Sequence, residues 1–148
     1  MKLDNLAKYA PLALAVLRIV TALVFIEHGT QKLFGFPMMP RPGGGSGGPP
    51  PGGGPGDFML TLIKIAGPLE SIGGLAVLLG LFTRPAAFIL AGECAVIYWM
   101  AHVPRGGFFP LLNGGESAVL FCFVFLYLFF AGPGLWSLDG LIGRRSKP

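Results

Sequence analysis

YAPLALAVLRIVTALVFIEHGTQKLF, residues 9–34, reads as a membrane-spanning run that nevertheless carries Arg18, Glu27, His28, Gln31 and Lys32. Two further apolar runs repeat the combination: 58–82 encloses Lys64 and Glu70, and 85–102 encloses Glu93. An ionised side chain at the bilayer centre costs about 2.5–3.5 kcal/mol on insertion scales, so such groups turn into a bundle interior and often mark function. The pattern predicts a polytopic membrane protein with a polar interior.

Composition agrees with that reading. Of 148 residues, 53% are hydrophobic and only 12% charged, a balance suited to lipid-facing surface rather than to a soluble core. The net charge of +4 does not point to nucleic acid, because the basic residues sit at termini and short loops with no basic run among aromatics. They read instead as flanks that set membrane topology. The start, MKLDNLAKYAPLALAVLRIV, offers no small-residue cleavage site before Arg18. It therefore reads as a retained first helix and not a signal peptide. Cys94 and Cys122 lie in separate apolar runs without a C-x-x-C pattern and read as buried free thiols.

A spanning helix needs about 20 mainly apolar residues. Segments 10–34, 58–82, 85–102 and 116–131 approach that length, which predicts an all-α, four-helix transmembrane bundle forming one domain over 1–148. Pro85 suits a first helical turn, and a link of only Thr83 and Arg84 makes the second and third helices antiparallel neighbours. Between the first two helices, 35–57 contains RPGGGSGGPPPGGGPGD. Such composition buries too little to offset ordering entropy and predicts a mobile extracytoplasmic loop. It is not a phosphate loop, since no Gly-Lys-Ser/Thr follows. Lys2, Lys8, Arg84, Arg144, Arg145 and Lys147 fall on one side, against Arg41, Arg105 and the helix-end Lys32 on the other. That asymmetry predicts cytoplasmic N- and C-termini. Gly67, Ser71, Gly74 and the adjacent Gly73, and then Ala87, Ala91 and Ala95, form small-residue stripes that read as packing faces.

Counting ~1.5 Å per residue from the helix starts puts Arg18 and Glu93 near ~12 Å depth and Glu70 near ~18 Å. The expectation is a buried ion-pair cluster of Arg18, Glu70 and Glu93, its charge completed by a protonated carboxyl, Lys64 or water. Two readings stay open for it: a structural pin, or a proton-exchanging carboxyl serving transport or quinone chemistry. A second polar group gathers at the outer face. Glu27, His28, Gln31 and Lys32 fill the last turns of the first helix, with Glu27/Gln31 and His28/Lys32 at i,i+4 spacing. His102 closes the third helix, and Arg105, Asn113 and Glu116 follow. Asn113 or Gly114 suits the cap of the fourth helix and Glu116 its dipole. An axial His28–His102 pair for haem is conceivable, but two histidines without a motif do not make a metal or haem site. A quinone or small polar substrate under Trp99, Phe108 and Phe109 fits better, although interfacial anchoring also explains those aromatics.

Taken together, several stretches resemble one family. FIEHGTQKLFGF (25–36) is similar to the first-helix signature of the DoxX family of small membrane proteins. GPLESIGGLAVLLGLFTRPAA (67–87) resembles that family's second helix and its turn into the third, and GGFFPLLNGGE (106–116) and GPGLWSLD (132–139) match the remainder. The resemblance covers nearly the whole chain apart from the Gly/Pro insertion at about 40–56. It implies a four-helix membrane protein acting as an oxidoreductase component, with relatives in thiosulfate:quinone oxidoreductase, oxidative-stress complexes and quinone detoxification. The family's recurrent polar positions fall here on His28, Gln31, Lys32, Glu70, Arg84, Asn113 and Glu116.

The functional expectation is an inner-membrane subunit in quinone-linked redox chemistry. His28 and Lys32 would hydrogen-bond a quinone oxygen and Glu27 or Glu116 would exchange its proton; Gln31, His102, Arg105 and Asn113 would hold the substrate. There is no dinucleotide fingerprint, no C-x-x-C and no clear haem ligand pair, so no intrinsic cofactor is expected beyond a bound quinone, and electrons would come from the substrate or a partner redox protein. The bilayer is the first partner expected, with a homo-oligomer a further one. Two rivals use the same residues differently: a small-solute or proton-coupled transporter, and an assembly subunit without chemistry of its own.

Overall fold

The computed structural model describes residues 3–38 and 57–145, which contain helices and no strand. Most of the predicted Gly/Pro loop, 39–56, lies outside the described residues. After a 3-10 turn at Leu3–Tyr9, α1 runs Ala10–Phe34, α2 Asp57–Leu79 and α3 Thr83–Ile97. A π turn, Tyr98–His102, leads into α4 (Val103–Gly106), followed by α5 (Pro110–Asn113), α6 (Glu116–Ala131) and α7 (Leu138–Arg145).

Each boundary has a local cause. Gly35 adopts φ +67° and returns its N–H to the Gln31 carbonyl, closing α1 with a left-handed cap. The break after α2 is Gly80–Phe82 rather than the expected Thr83–Arg84. Gly80 takes φ +64°, its N–H bonds Val77 O at 3.0 Å and that of Leu81 bonds Ala76 O at 2.9 Å, a Schellman ending that stops α2 three residues earlier than hydropathy suggests. Pro85 does lie in the first turn of α3. The third span is longer than expected: 83–106 is one continuous run of 24 residues. Its π turn precedes Pro104, which has no N–H to return to Met100, and the Val103 N–H bonds Tyr98 O.

α1, α2 and the third span are long and apolar enough to cross a bilayer, whereas α6 is an apolar helix of only 16 residues. At 1.5 Å per residue α6 reaches ~24 Å, short of a ~30 Å hydrocarbon core. The predicted small-residue faces are the contact faces. Gly29 of α1 lies against Ser71 and Gly67 of α2, Gly74 fits under Ile26, and Gly73 fits under Leu90 of α3. A Cβ at Gly29 would come within 2.9 Å of the Gly67 carbonyl, so this crossing needs glycine. The α1 residues Ala15, Arg18, Ala22, Phe25 and Gly29 form one buried stripe. They meet a core of Val77, Ala87, Leu90, Ala91, Cys94, Phe125 and Leu128. Outward faces carry Val16, Leu23, Ile65, Ile72, Phe88, Phe123 and Phe130 exposed, the apolar jacket a bilayer requires. The result is an all-α membrane bundle.

Candidate functional site

Three polar groups stand at three levels of this bundle. At the end where α2 turns into α3, Arg18 is wholly buried. Its Nε donates to Pro133 O (2.8 Å), Nη1 to Val77 O (2.7 Å) and Leu78 O (2.5 Å), and Nη2 to Leu135 O (3.2 Å) and Trp136 O (2.9 Å). A guanidinium has five N–H donors, and here all of them are used on carbonyls. Val77 and Leu78 supply carbonyls of the last turn of α2, where the dipole favours a cation; Val77 O accepts from the Gly80 N–H as well. The 133–136 segment folds across to supply the rest. Beside it, Asp139 of α7 accepts from the N–H groups of Phe82 (2.8 Å) and Thr83 (2.9 Å), capping α3.

This overturns the expected Arg18–Glu70–Glu93 cluster. The depth estimate took residue 10 as the membrane edge, but Arg18 stands level with Val77 and Leu78, near the end of α2. Glu70 and Glu93 lie about two turns further in, with Lys32 and not Arg18.

The second group is that interior one. Lys32 continues the buried stripe of α1, seven residues after Phe25, and its Nζ forms an ion pair and hydrogen bond with Glu70 Oε1. The Lys32 side chain is 23% exposed and that of Glu70 3%, so the pair is largely withdrawn from solvent. Glu93, on the facing side of α3, lies within electrostatic range of both Glu70 and Lys32. Both Glu93 oxygens and Glu70 Oε2 are buried without a hydrogen-bond partner among the described residues. His28 flanks the group: it is within electrostatic range of Glu70, and its ring meets Phe25 and Phe121 edge-on at centroid distances of 6.3 and 5.5 Å. Cys94 packs in the core next to Glu93 as a free thiol, and Cys122 is likewise free. One ammonium therefore faces two carboxyl groups inside an apolar bundle.

The third group is a loop clamp beyond the π turn. Asn113 is buried; its Nδ2 donates to Gly107 O (2.7 Å) and its Oδ1 accepts from Gly115 N (2.8 Å). His102 stacks on Tyr98 and its Nδ1 lies 3.2 Å from Asn113 O. The Tyr98 hydroxyl donates to Phe108 O. These bonds fasten 107–115 to the end of α3. The cap of α6 is Gly115, one residue beyond the two expected, and Asn113 braces it by accepting that N–H.

The nominated residues thus divide. His28 and Lys32 join the interior carboxyl group, and Gln31 is half-buried next to Lys32 in sequence. Glu27, two positions from both Phe25 and Gly29, is exposed on the opposite side of α1; Glu116 is exposed in the first turn of α6. Neither reaches the interior, because 100° per residue turns them off the buried stripe. His102 and Asn113 belong to the loop clamp, and Arg105 is exposed on α4. Lys64 is exposed on α2 and does not complete the charge balance. Among the described residues no three His, Cys, Asp or Glu side chains gather at metal-binding distance. Sequence reasoning missed the Lys32–Glu70 pair, Tyr98 and Asp139. The signal for the first was present in the Gly29 and Gly67/Ser71 small residues, which set the register of α1 on α2.

The DoxX family model matches residues 13–103, which take in all but the first three residues of α1, then α2 and α3, and with them Lys32, Glu70 and Glu93. The chain belongs to the DoxX family. This DoxX chain is 45% identical over 145 residues to an uncharacterized protein of Haemophilus influenzae, covering 97% of this chain and 100% of the relative. It is 30% identical to an uncharacterized membrane protein of Mycobacterium tuberculosis, covering 92% of this chain and 85% of the relative. It is also 29% identical to the inner membrane protein YqjF of Escherichia coli, covering 93% of this chain and 98% of the relative. No solved structure matches it significantly. The DoxX assignment and the apolar helices together make it a membrane protein.

Proposed function

We propose that this DoxX protein resides in the inner membrane and handles protons for quinone-linked redox chemistry at the Lys32–Glu70–Glu93 group. The observation that carries the reading is Glu93, a buried carboxyl with both oxygens unpartnered beside a single ion pair. A carboxyl that only served packing would be replaced by an apolar side chain at no loss, since unsatisfied buried polar groups cost about 1–3 kcal/mol each. Glu93 is free to hold a proton or to release one.

When bound, a quinone supplies the two-electron step, with electrons from a reduced substrate such as a sulfur compound or from a partner redox protein. The protein's own contribution is acid–base. Lys32 Nζ has three donors, one engaged with Glu70, and the others can hold an acceptor oxygen. Glu93 delivers or takes up the accompanying proton in place of the expected Glu27 or Glu116. His28 stands where α1 meets α6 at Phe121, within electrostatic range of Glu70. The apolar surroundings exclude water and strengthen each of these interactions. The charge asymmetry between loops supports cytoplasmic termini, and the inner membrane relative supports the compartment.

The test is a titration of the purified, detergent-solubilised protein with ubiquinone and menaquinone. Saturable binding that Lys32→Ala or His28→Ala weakens at least tenfold, while Glu116→Gln leaves it unchanged, supports the site. Absence of binding, or binding indifferent to Lys32 and His28, removes the quinone and leaves solute transport or assembly as the use of these charges.

A further inference from the structure

We propose that 107–112 is a lipid-inserted cap, a segment that lies in the membrane interface at the end of the bundle remote from Arg18 and beds its side chains among the acyl chains there. Its sequence, GFFPLL, carries no ionisable group. Phe108 and Phe109 are 60 and 65% exposed, and Leu111 and Leu112 76 and 70%. The rings form one surface: Trp99 of the π turn meets Phe108 at a centroid distance of 5.8 Å, and Phe108 meets Phe109 at 6.1 Å. Val96, Trp99 and Met100, all exposed, join this surface to the apolar jacket of the third span.

The fold keeps the segment beside the bilayer. The third span ends at Gly106, and the chain then folds back along it instead of leaving the bundle. A Cβ at Gly106 would come within 2.7 Å of Leu112 O, and one at Gly115 within 2.8 Å of the Tyr98 ring. Only there, beside Tyr98, does α6 begin.

Backbone immersed in lipid must find its partners inside the protein, and this segment does. Gly107 O accepts from Asn113 Nδ2 and Phe108 O from the Tyr98 hydroxyl. Phe109 O accepts from the N–H groups of Leu112 (3.0 Å) and Asn113 (3.2 Å), and Pro110 O from that of Gly115 (3.1 Å). The Gly107 N–H returns to Val103 O at 2.9 Å. A loop bathed in water needs no such set, because solvent supplies the partners.

Charge agrees on the occupant. Arg105 and Glu116, the nearest charged residues on either side in sequence, are both exposed, and zwitterionic headgroups offer each a counter-charge. Aromatic rings at headgroup level with apolar side chains below them are the pattern of an interfacial anchor.

Trp99→Phe and Trp136→Phe remove the chain's two tryptophans, and Phe109→Trp then supplies a sole reporter on the segment. Leu111→Trp in the same background is a second reporter should the first exchange disturb folding. Each variant would be reconstituted into phosphatidylcholine vesicles brominated at a shallow or a deeper acyl position, with aqueous iodide on both sides in a parallel set. The expected result is bromine quenching that places the ring about 5–10 Å into the headgroup–acyl boundary, with little quenching by iodide. Strong quenching by iodide would overturn the inference by putting the segment in water. Protection from both quenchers would overturn it as well, since a protein partner or a second copy would then cover the surface.

Discussion

Arg18 and Glu93 are both ionisable side chains inside the same apolar bundle, and the protein treats them in opposite ways. Arg18 spends all five donors on carbonyl oxygens; Glu93 has no partner for either oxygen among the described residues. The contrast follows from what a helix can offer. Carbonyls are free at a helix C-terminus and in an irregular segment, so a cation placed there can be satisfied by backbone alone. A carboxylate in mid-span needs N–H donors, and mid-helix N–H groups are already bonded within their own helix. Only side chains remain, and Lys32 is shared with Glu70. The saturated end holds the fold, and the unsaturated middle is where chemistry is available.

Four substitutions separate the saturated end from the unsaturated middle. Arg18→Ala should have the largest effect. It takes the guanidinium from five carbonyls, of which Val77 O keeps the Gly80 N–H, and with unsatisfied groups at about 1–3 kcal/mol each the loss should exceed the ~4–5 kcal/mol that marks exceptional mutants. Denaturant titration in detergent should find little folded protein; a near-normal midpoint would mean that the knot at this end is not structural. Lys32→Met should come next, at about 3–5 kcal/mol, the cost of removing one partner of a buried pair. Adding Glu70→Gln should return most of that loss, and additive losses in the double variant would deny the pairing. Asp139→Ala removes two caps of α3 and should cost about 1–2 kcal/mol, read as a modest shift of the same unfolding midpoint. Glu93→Gln should change stability least, by under about 1 kcal/mol. Quinone-linked turnover should nevertheless fall about 100-fold or more, as for loss of a general acid–base group. Intact turnover in Glu93→Gln would return Glu93 to a packing role.

The sequence was legible wherever a local rule governs the outcome. The apolar runs located four helices, and α6 came out at 116–131 as read. The small residues of α2 marked the face on which α1 and α3 approach it, and Ala87 and Ala91 a buried face of α3, because close approach depends on the residues themselves. Helix ends were less legible: α2 stops at Gly80, where a left-handed glycine outweighs two more apolar residues. Site membership was least legible. Counting depth from the start of α1 grouped Arg18 with Glu70, although the crossing at Gly29 places Lys32 there instead. Listing polar residues on the last turns of α1 together joined Glu27 to Lys32, although helical rotation separates them. The role of 132–139 in surrounding Arg18 had no local signature, since its carbonyls come from a segment more than 110 positions away.

The amino-acid sequence by itself determined a four-helix membrane bundle, its packing faces and the presence of a charged interior, because hydropathy, helix length and side-chain size act residue by residue. The tertiary structure decided which charge meets which. Antiparallel register set Lys32 beside Glu70 and Glu93, and the fold of the 133–139 segment wrapped Arg18 in carbonyls. Electrostatic pairing in a low-dielectric interior depends on distances between helices, and no single helix carries that information.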